Sequence, residues 1–478
     1  LFSAVYPLVR QYELENASPD DTKVVEYQTP AELLAAMDFS TPDVGSEEEF
    51  VRGCRETLRY SVRTSHPRFM WQLFAGSDPA GQVGELVTAA VNTSMHTFAA
   101  APVFTVMERQ LIVRVAERLR MDTATIDGVF APGGSYANMV AMLVARNEKF
   151  PHVREDGWEP ADRPVAFTSV QSHYSIKKAA MITGMGSKSV VEVAADATGA
   201  MIPEELEKAL AIATAAGKTP FFVSCTAGTT VTGAFDPLRQ IKAVCQRHGV
   251  WMHVDGSWGG SVLMSEEHRG LLDGAEGADS FCFNPHKLLG VPMQCSVVLV
   301  NGHVGALERS NSTVADYLFH QSADAKCNLG QKSLQCGRKP DCLKLWLAWK
   351  RYGTKGLGHR VDLAMANAAL LADKVKADPR FHLLIQPQSC QVCFFYLPPS
   401  LRARAAAEGV PALYAQLDGV TQAVCVRMQR AGSVMVNFSP LPDQGLPHFI
   451  RAVMIQPRVM AADIDFMLEE IDRLGRDL

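Results

Sequence analysis

The sequence predicts an α/β fold built around a largely parallel sheet, with a helical N-terminal segment ahead of it and a mixed C-terminal part behind. Three observations carry that prediction. Strand-like apolar runs alternate with helical stretches from about residue 128 to residue 283, the pattern of repeated crossover units. Short polar turns rich in Gly, Ser and Thr close several of those runs. A chain of 478 residues is also too long for a single core, so two or three substructures are expected.

The first hundred residues read as helical and irregular, with a loop cluster at Asn16-Ala17-Ser18-Pro19-Asp20-Asp21 and a helix over Leu86–Met95. An amphipathic helix follows from Thr105 to Leu119, because Val106, Leu111, Ile112, Val115 and Leu119 approximate one face. Gly128–Ala131 is a short strand that enters a helix through Pro132-Gly133-Gly134-Ser135, and that helix runs to about Glu148. Val165–Val170 is the next strand, leading through Gln171-Ser172-His173-Tyr174-Ser175 into another helix. Phe221–Thr226 ends in Ala227-Gly228-Thr229-Thr230. Val250–Val254 and Phe281–Phe283 are strands separated by a helix over Ser265–Ala275, and Cys295–Val300 is of strand length. Beyond a helix around Cys342–Lys350 the pattern becomes mixed, ending in an amphipathic helix over Ala462–Leu474.

Composition narrows the function classes. The formal net charge is −5 with no long basic run, which argues against nucleic acid or an anionic membrane as partner. No apolar stretch approaches the length of a membrane-spanning helix. The chain begins at Leu1 rather than Met, so its start is expected to be trimmed, and Leu1–Arg10 lacks the basic region and cleavage site of a secretory signal. Eleven cysteines are scattered without metal-ligand spacing. Cys390-x-x-Cys393 sits in a run that reads as a buried strand, Gln391–Tyr396. Core thiols in a reducing cytoplasm are the expectation, with no metal site.

The chemistry gathers at one place. The Gly133-Gly134-Ser135 turn, His173, the Gly-Thr-Thr turn, Asp255 and Lys287 all follow the C-terminal ends of predicted strands. In a parallel sheet those ends share one edge, where ligands bind. The thirty-odd residues from Asp255 to Lys287 are enough for one crossover helix to bring both back to that edge. Singly, each has an ordinary structural reading: a helix cap, a turn carboxylate, a solvated lysine. Together they supply a phosphate cradle at a helix start, an amine to bond an aldehyde, a carboxylate to keep a ring nitrogen protonated and an imidazole to stack on the ring. Pyridoxal 5'-phosphate (PLP) needs this set.

The stretches Asn284-Pro285-His286-Lys287, His253-Val254-Asp255, Ser172-His173-Tyr174-Ser175 and Pro132-Gly133-Gly134-Ser135 resemble those of the group II PLP-dependent amino acid decarboxylases, in particular the cysteine sulfinate and glutamate decarboxylase branch. Further matching stretches include His66-Pro67-Arg68-Phe69, Gly233-Ala234-Phe235-Asp236-Pro237 and Gln335-Cys336-Gly337-Arg338. The resemblance implies a fold-type I enzyme with a mostly parallel, seven-stranded-type sheet. It implies an N-terminal segment over 1–100, a large PLP domain over 101–348 and a small α+β domain over 349–478. It also implies a cytoplasmic homodimer acting on a small acidic amino acid: cysteine sulfinate, aspartate, cysteate or glutamate. By motif, Lys287 bonds the cofactor, Asp255 pairs with its ring nitrogen and His173 stacks on the ring. Gly134, Ser135 and His286 lie near the phosphate, and Thr230, Ser257 and Asn284 complete the cofactor set. Gln72 and Arg451 match positions that receive a substrate carboxylate.

Four departures from the family pattern stand out. Phe69-Met70-Trp71-Gln72 carries an indole at Trp71 where a small polar residue is usual, and Thr97-Phe98-Ala99 carries Phe98 in place of tyrosine. Ser257 replaces an alanine. The loop ahead of Gln335 is about two residues short and reads Ser322-Ala323-Asp324-Ala325-Lys326-Cys327-Asn328. It lacks the tyrosine with which the family returns a proton to the α-carbon after CO2 leaves, keeping only His320, Lys326 and Cys327 as titratable groups. An aldehyde synthase, or a decarboxylase of a non-acidic amino acid, is therefore the alternative reading.

Overall fold

The computed structural model describes residues 1–313, 319 and 327–478. The chain divides into two compact units, Ser77–Asp362 and Leu1–Gly76 with Leu363–Leu478. These boundaries differ from the expected three-part division at residues 100 and 348. Strands are numbered along the chain, from β1 (Phe69–Met70) to β12 (Leu446–Val453).

The larger unit holds a seven-stranded sheet. Its strands are β2 (Ile126–Ala131), β3 (Pro164–Ser169), β4 (Val190–Val193), β5 (Thr219–Thr226), β6 (Trp251–Gly256), β7 (Ser280–Phe283) and β8 (Ser296–Asn301), in the spatial order β2-β8-β7-β6-β5-β3-β4. The five strands from β7 to β4 pair in parallel, and β8 lies antiparallel between β7 and β2. Since β8 opposes both neighbours, β2 runs with β7, and every strand except β8 ends on one edge. Most positions of the central strands are buried, as in a sheet covered on both faces. The helix Gly134–Lys149 packs Ala137, Val140, Ala141 and Val144 into the core formed with Val129, Phe222 and Val298.

Several element expectations need correction. The segment between β6 and β7 contains no α-helix over Ser265–Ala275; it is a series of short 3-10 turns at Gly259–Met264, Arg269–Leu272 and Ala275–Gly277. Glycines at 259, 260, 270, 274 and 277 disfavour a continuous helix there. The helix expected over Leu86–Met95 occupies Pro79–Val91 instead. Asp78 caps it by accepting from the backbone N–H groups of Ala80 and Gly81, at 2.9 and 3.3 Å, and Asn92 ends it in the left-handed region. Strand β4 was not expected, being four residues long with Glu192 exposed.

The smaller unit carries a five-stranded sheet in the order β1-β11-β12-β10-β9, with β9 (Phe381–Leu383), β10 (Gln391–Tyr396) and β11 (Met435–Leu441). Here β1 pairs in parallel with β11, through Phe69↔Met435 and Met70↔Val436. Arg68 lies 3.3 Å from the buried carboxylate of Asp463, with its guanidinium over the Phe466 ring. These contacts explain why residues up to 76 belong with the C-terminal part. Helix Ala461–Gly475 packs Ile464, Met467, Leu468 and Ile471 against Val392, Phe394 and Ile450. No helix among the described residues is long and apolar enough to cross a membrane.

Candidate active site

The C-terminal ends of β2, β3, β5, β6 and β7 deliver the predicted residues to one edge of the large sheet. Gly134 shows how tightly the turns converge. A Cβ at this position would lie 2.4 Å from Ser257 Oγ and 2.6 Å from Asn284 Nδ2, so only glycine lets the helix start approach the turns after β6 and β7. Gly133, at φ 105, makes the turn into that helix, and Ser135 stands exposed in its first turn. The result is a helix N-terminus whose backbone N–H groups are free of side-chain caps, the geometry that suits a phosphate.

Asp255 is buried at the end of β6, and both its carboxylate oxygens are held. Oδ1 accepts the Ser257 backbone N–H at 3.0 Å, and Oδ2 accepts Asn138 Nδ2 at 2.7 Å. Burial alone would raise its pKa. The Ser257 side-chain hydrogen bond and the positive fields of His253 and Lys287 outweigh it and hold the carboxyl below its ordinary range. Ser257, one of the four departures, therefore takes part in the electrostatics of Asp255; its hydroxyl also sits 3.0 Å from Cys282 Sγ.

Lys287 follows β7 in a turn closed by its backbone N–H to the Asn284 carbonyl at 3.0 Å. Its side chain stays partly accessible, while burial lowers the amine's pKa against the opposing pull of Asp255 and Cys282. A reachable amine with a destabilised ammonium is the form that attacks an aldehyde. His173 is half-buried, and its Nδ1 accepts the Ser175 backbone N–H at 3.2 Å. Burial lowers its pKa, so the ring is neutral near pH 7. His286 is buried against the backbone of Cys295, its Nδ1 2.7 Å from the carbonyl oxygen, with a pKa pushed down to about 4 by burial. Asn284 is buried and Thr230 half-buried in the turn after β5.

These groups fit PLP on three counts: the glycine-lined helix start for a phosphate, the accessible low-pKa amine for an aldehyde, and a buried ionised carboxylate for a basic ring nitrogen.

Phe98 is half-buried in the same unit, its backbone N–H donating to Asn328 Oδ1 at 2.9 Å. Trp71, Gln72 and Arg451 belong to the smaller unit. Arg451 is buried on β12 beside Cys393, with Nη2 3.4 Å from the Trp71 carbonyl; Trp71 and Gln72 are half-buried. His320, Ala323 and Lys326 lie outside the described residues. Cys327 is described, its Sγ 3.1 Å from Arg109.

Asn138 and Ser280 escaped the sequence reading, and His253 entered it only as part of a motif. The available signal was the period-two alternation in Trp251-Met252-His253-Val254-Asp255 and Ser280-Phe281-Cys282-Phe283, which sets a polar face against an apolar one.

Comparison with known proteins places this geometry in context. The model of the pyridoxal-dependent decarboxylase conserved domain matches residues 30–397. Cysteine sulfinic acid decarboxylase of Homo sapiens is 42% identical over 100% of this chain and 96% of its own length. Acidic amino acid decarboxylase GADL1 of Bos taurus is 43% identical over 98% of this chain and 90% of its own. The crystal structure of mouse CSAD superposes with a TM-score of 0.95 at 41% identity, covering 100% of this chain and 98% of that one. A 4-hydroxyphenylacetaldehyde synthase from Rhodiola rosea, at 23% identity and a TM-score of 0.83, shares the fold.

Proposed function

The chain belongs to the pyridoxal-dependent decarboxylase family, and from that premise we propose that it removes the α-carboxylate of a small acidic amino acid such as cysteine sulfinate, aspartate, cysteate or glutamate. The observation that carries the reading is the buried, ionised Asp255 facing the field of a low-pKa Lys287 at the edge of the sheet. The full-length relatives named for cysteine sulfinic acid and acidic amino acids support the substrate class.

When bound, PLP supplies the electron sink that accepts the bonding pair as the carboxylate leaves. The chain's own residues do the rest. Lys287 anchors the cofactor, Asp255 keeps the proton on its ring nitrogen, and His173 fixes the plane of the ring. The backbone N–H groups at Gly134 and Ser135 bind the phosphate, with Thr230, Ser257, Asn284 and His286 bordering the cofactor. Arg451 and Gln72 receive the substrate's acid groups, and Trp71 and Phe98 shape the pocket.

We assign the active form to a homodimer in a reducing, cytoplasmic setting. The large apolar side chains that the N-terminal segment leaves exposed, Phe2, Tyr6, Leu34 and Phe39 among them, support a partner copy. Eleven free thiols support the compartment.

The test is a panel of acidic, neutral and aromatic amino acids, with amine, CO2, aldehyde, peroxide and oxygen uptake measured together. Amine and CO2 from acidic substrates are expected; a preference for neutral or aromatic ones would overturn the substrate class. The second reading, aldehyde formation, is favoured by one observation, the tyrosine-less loop from His320 to Asn328. A closing tyrosine both donates a proton to the α-carbon and excludes oxygen. Without it, slower decarboxylation with some aldehyde and peroxide is expected, and Ala323→Tyr should raise the amine-to-aldehyde ratio.

Arg451→Met tests the specificity assignment. It should cost about 2–5 kcal/mol in kcat/KM for acidic substrates, as truncating one member of a buried charge pair does, and far less for a neutral amino acid. Equal losses would make Arg451 structural.

A further inference from the structure

Beneath Asp255 the large unit buries a row of polar side chains to which the proposed chemistry gives no task. Alternation along β6 sets Trp251, His253 and Asp255 on one face, and the register His253↔Ser280 and Asp255↔Cys282 places β7 residues beside them. All five are buried. A buried polar row is costly unless each group finds a partner, and here the partners form a line. Trp251 Nε1 donates to Ser280 Oγ at 2.8 Å, and Ser280 Oγ lies 2.9 Å from His253 Nδ1. His253 Nε2 lies 3.0 Å from Asn138 Oδ1, and Asn138 Nδ2 reaches Asp255 Oδ2 at 2.7 Å and Ser175 Oγ at 2.9 Å.

The proton positions follow from the two ends. Asp255 as a carboxylate can only accept, so the nitrogen of the Asn138 amide faces it and Oδ1 faces His253. That oxygen can only accept, so His253 carries its proton on Nε2. Burial pushes the His253 pKa down to about 4, so its other nitrogen is bare. Nδ1 must then accept, and the Ser280 hydroxyl donates to it. The indole N–H donates to the Ser280 oxygen. Every link points the same way, toward Asp255.

We infer that Trp251, Ser280, His253 and Asn138 are positioning residues, a one-way donor chain that keeps Asp255 charged and correctly oriented for the ring nitrogen of the cofactor. The inference rests on the reading of Asp255 proposed above. A buried carboxylate with too few donors takes up a proton instead. It would then draw that proton from the ring nitrogen it is meant to keep protonated. Hydrogen bonds in series also polarise one another, so a link several residues away is felt at the end.

Two measurements test this. In the first, 15N-histidine labelling of the parent protein should show His253 as the neutral Nε2–H tautomer from pH 8 down to about pH 5, roughly one unit above a pKa near 4. An Nδ1–H tautomer or an imidazolium at pH 7 would overturn the chain. In the second, holoenzyme is prepared with PLP labelled with 15N at the ring nitrogen. The parent signal should be that of a protonated ring. It should move toward the unprotonated position in a graded series: Asn138→Leu most, then His253→Phe, Ser280→Ala and Trp251→Phe. PLP retention should weaken by about tenfold in Asn138→Leu, the scale of one lost hydrogen bond to a charged group. Ser280→Ala removes a single oxygen and guards against loss of folding as the explanation. If it and His253→Phe leave the ring-nitrogen signal unmoved, the row is structural packing and the inference fails. Asp255→Asn is the control for the premise: an unmoved signal there would refute the reading of Asp255 itself.

Discussion

Lys287→Ala is expected to abolish turnover and to remove the visible absorbance that a PLP enzyme shows when its lysine is bonded to the cofactor. The phosphate cradle at Gly133–Ser135 and the carboxylate of Asp255 remain in this variant, so PLP is still retained noncovalently. Visible spectra before and after gel filtration, with CO2 release followed in parallel, separate loss of the bond from loss of the cofactor. The structure explains why no neighbour substitutes. Lys287 is a partly accessible amine with a pKa lowered by burial. Lys344, in contrast, is buried in ion pairs with Asp341 and Glu85, which raise its pKa and keep it an ammonium. Turnover near the parent rate in Lys287→Ala would remove the central assignment.

Asp255→Asn is expected to lower kcat/KM by orders of magnitude while leaving the sheet intact. The amide is nearly isosteric, so the contacts of Ser257 and Asn138 change in polarity more than in shape. What it removes is the charge. A neutral amide cannot hold a proton on the ring nitrogen, and the electron sink weakens accordingly. The Asn138 amide would then face another amide and could reverse, disturbing His253 behind it. Steady-state kinetics alongside far-UV circular dichroism checks the separation; a loss of less than tenfold with folding retained would show that the ring nitrogen needs no anionic partner here.

The α/β class, the sheet edge and the residues from Gly134 to Lys287 were legible because strand ends in a parallel sheet share an edge, a rule that needs only the strand positions. What could not be read was decided by tertiary packing. The crossover between Asp255 and Lys287 was expected to be a helix, but its glycines divert it into 3-10 turns. The N-terminal boundary was expected at residue 100, but the pairing of Phe69 and Met70 with Met435 and Val436 spans most of the chain and leaves no local trace. Motif stretches could not declare their tasks either. Arg338 of Gln335-Cys336-Gly337-Arg338 serves as a buried clamp, bonding Glu108 at 2.6 Å and the carbonyls of Met95 and Phe130. Asn138 was invisible because nothing in a helix sequence says which neighbour its amide will meet.

The pairing of β1 with β11 has a bearing on how the chain is made. Synthesis runs from the N-terminus, so residues 1–76 leave the ribosome first, yet the strand that pairs with Phe69 and Met70 is among the last segments to emerge. The intervening unit, Ser77–Asp362, contains all seven strands of its own sheet and can complete its core while translation continues. The N-terminal helices, with Phe2, Tyr6 and Phe50 exposed, must wait for that late strand as an unfinished apolar segment. Stalled or C-terminally truncated chains should therefore combine a protease-resistant middle with a protease-sensitive beginning, and the earliest residues made would be the natural ones for a chaperone to hold.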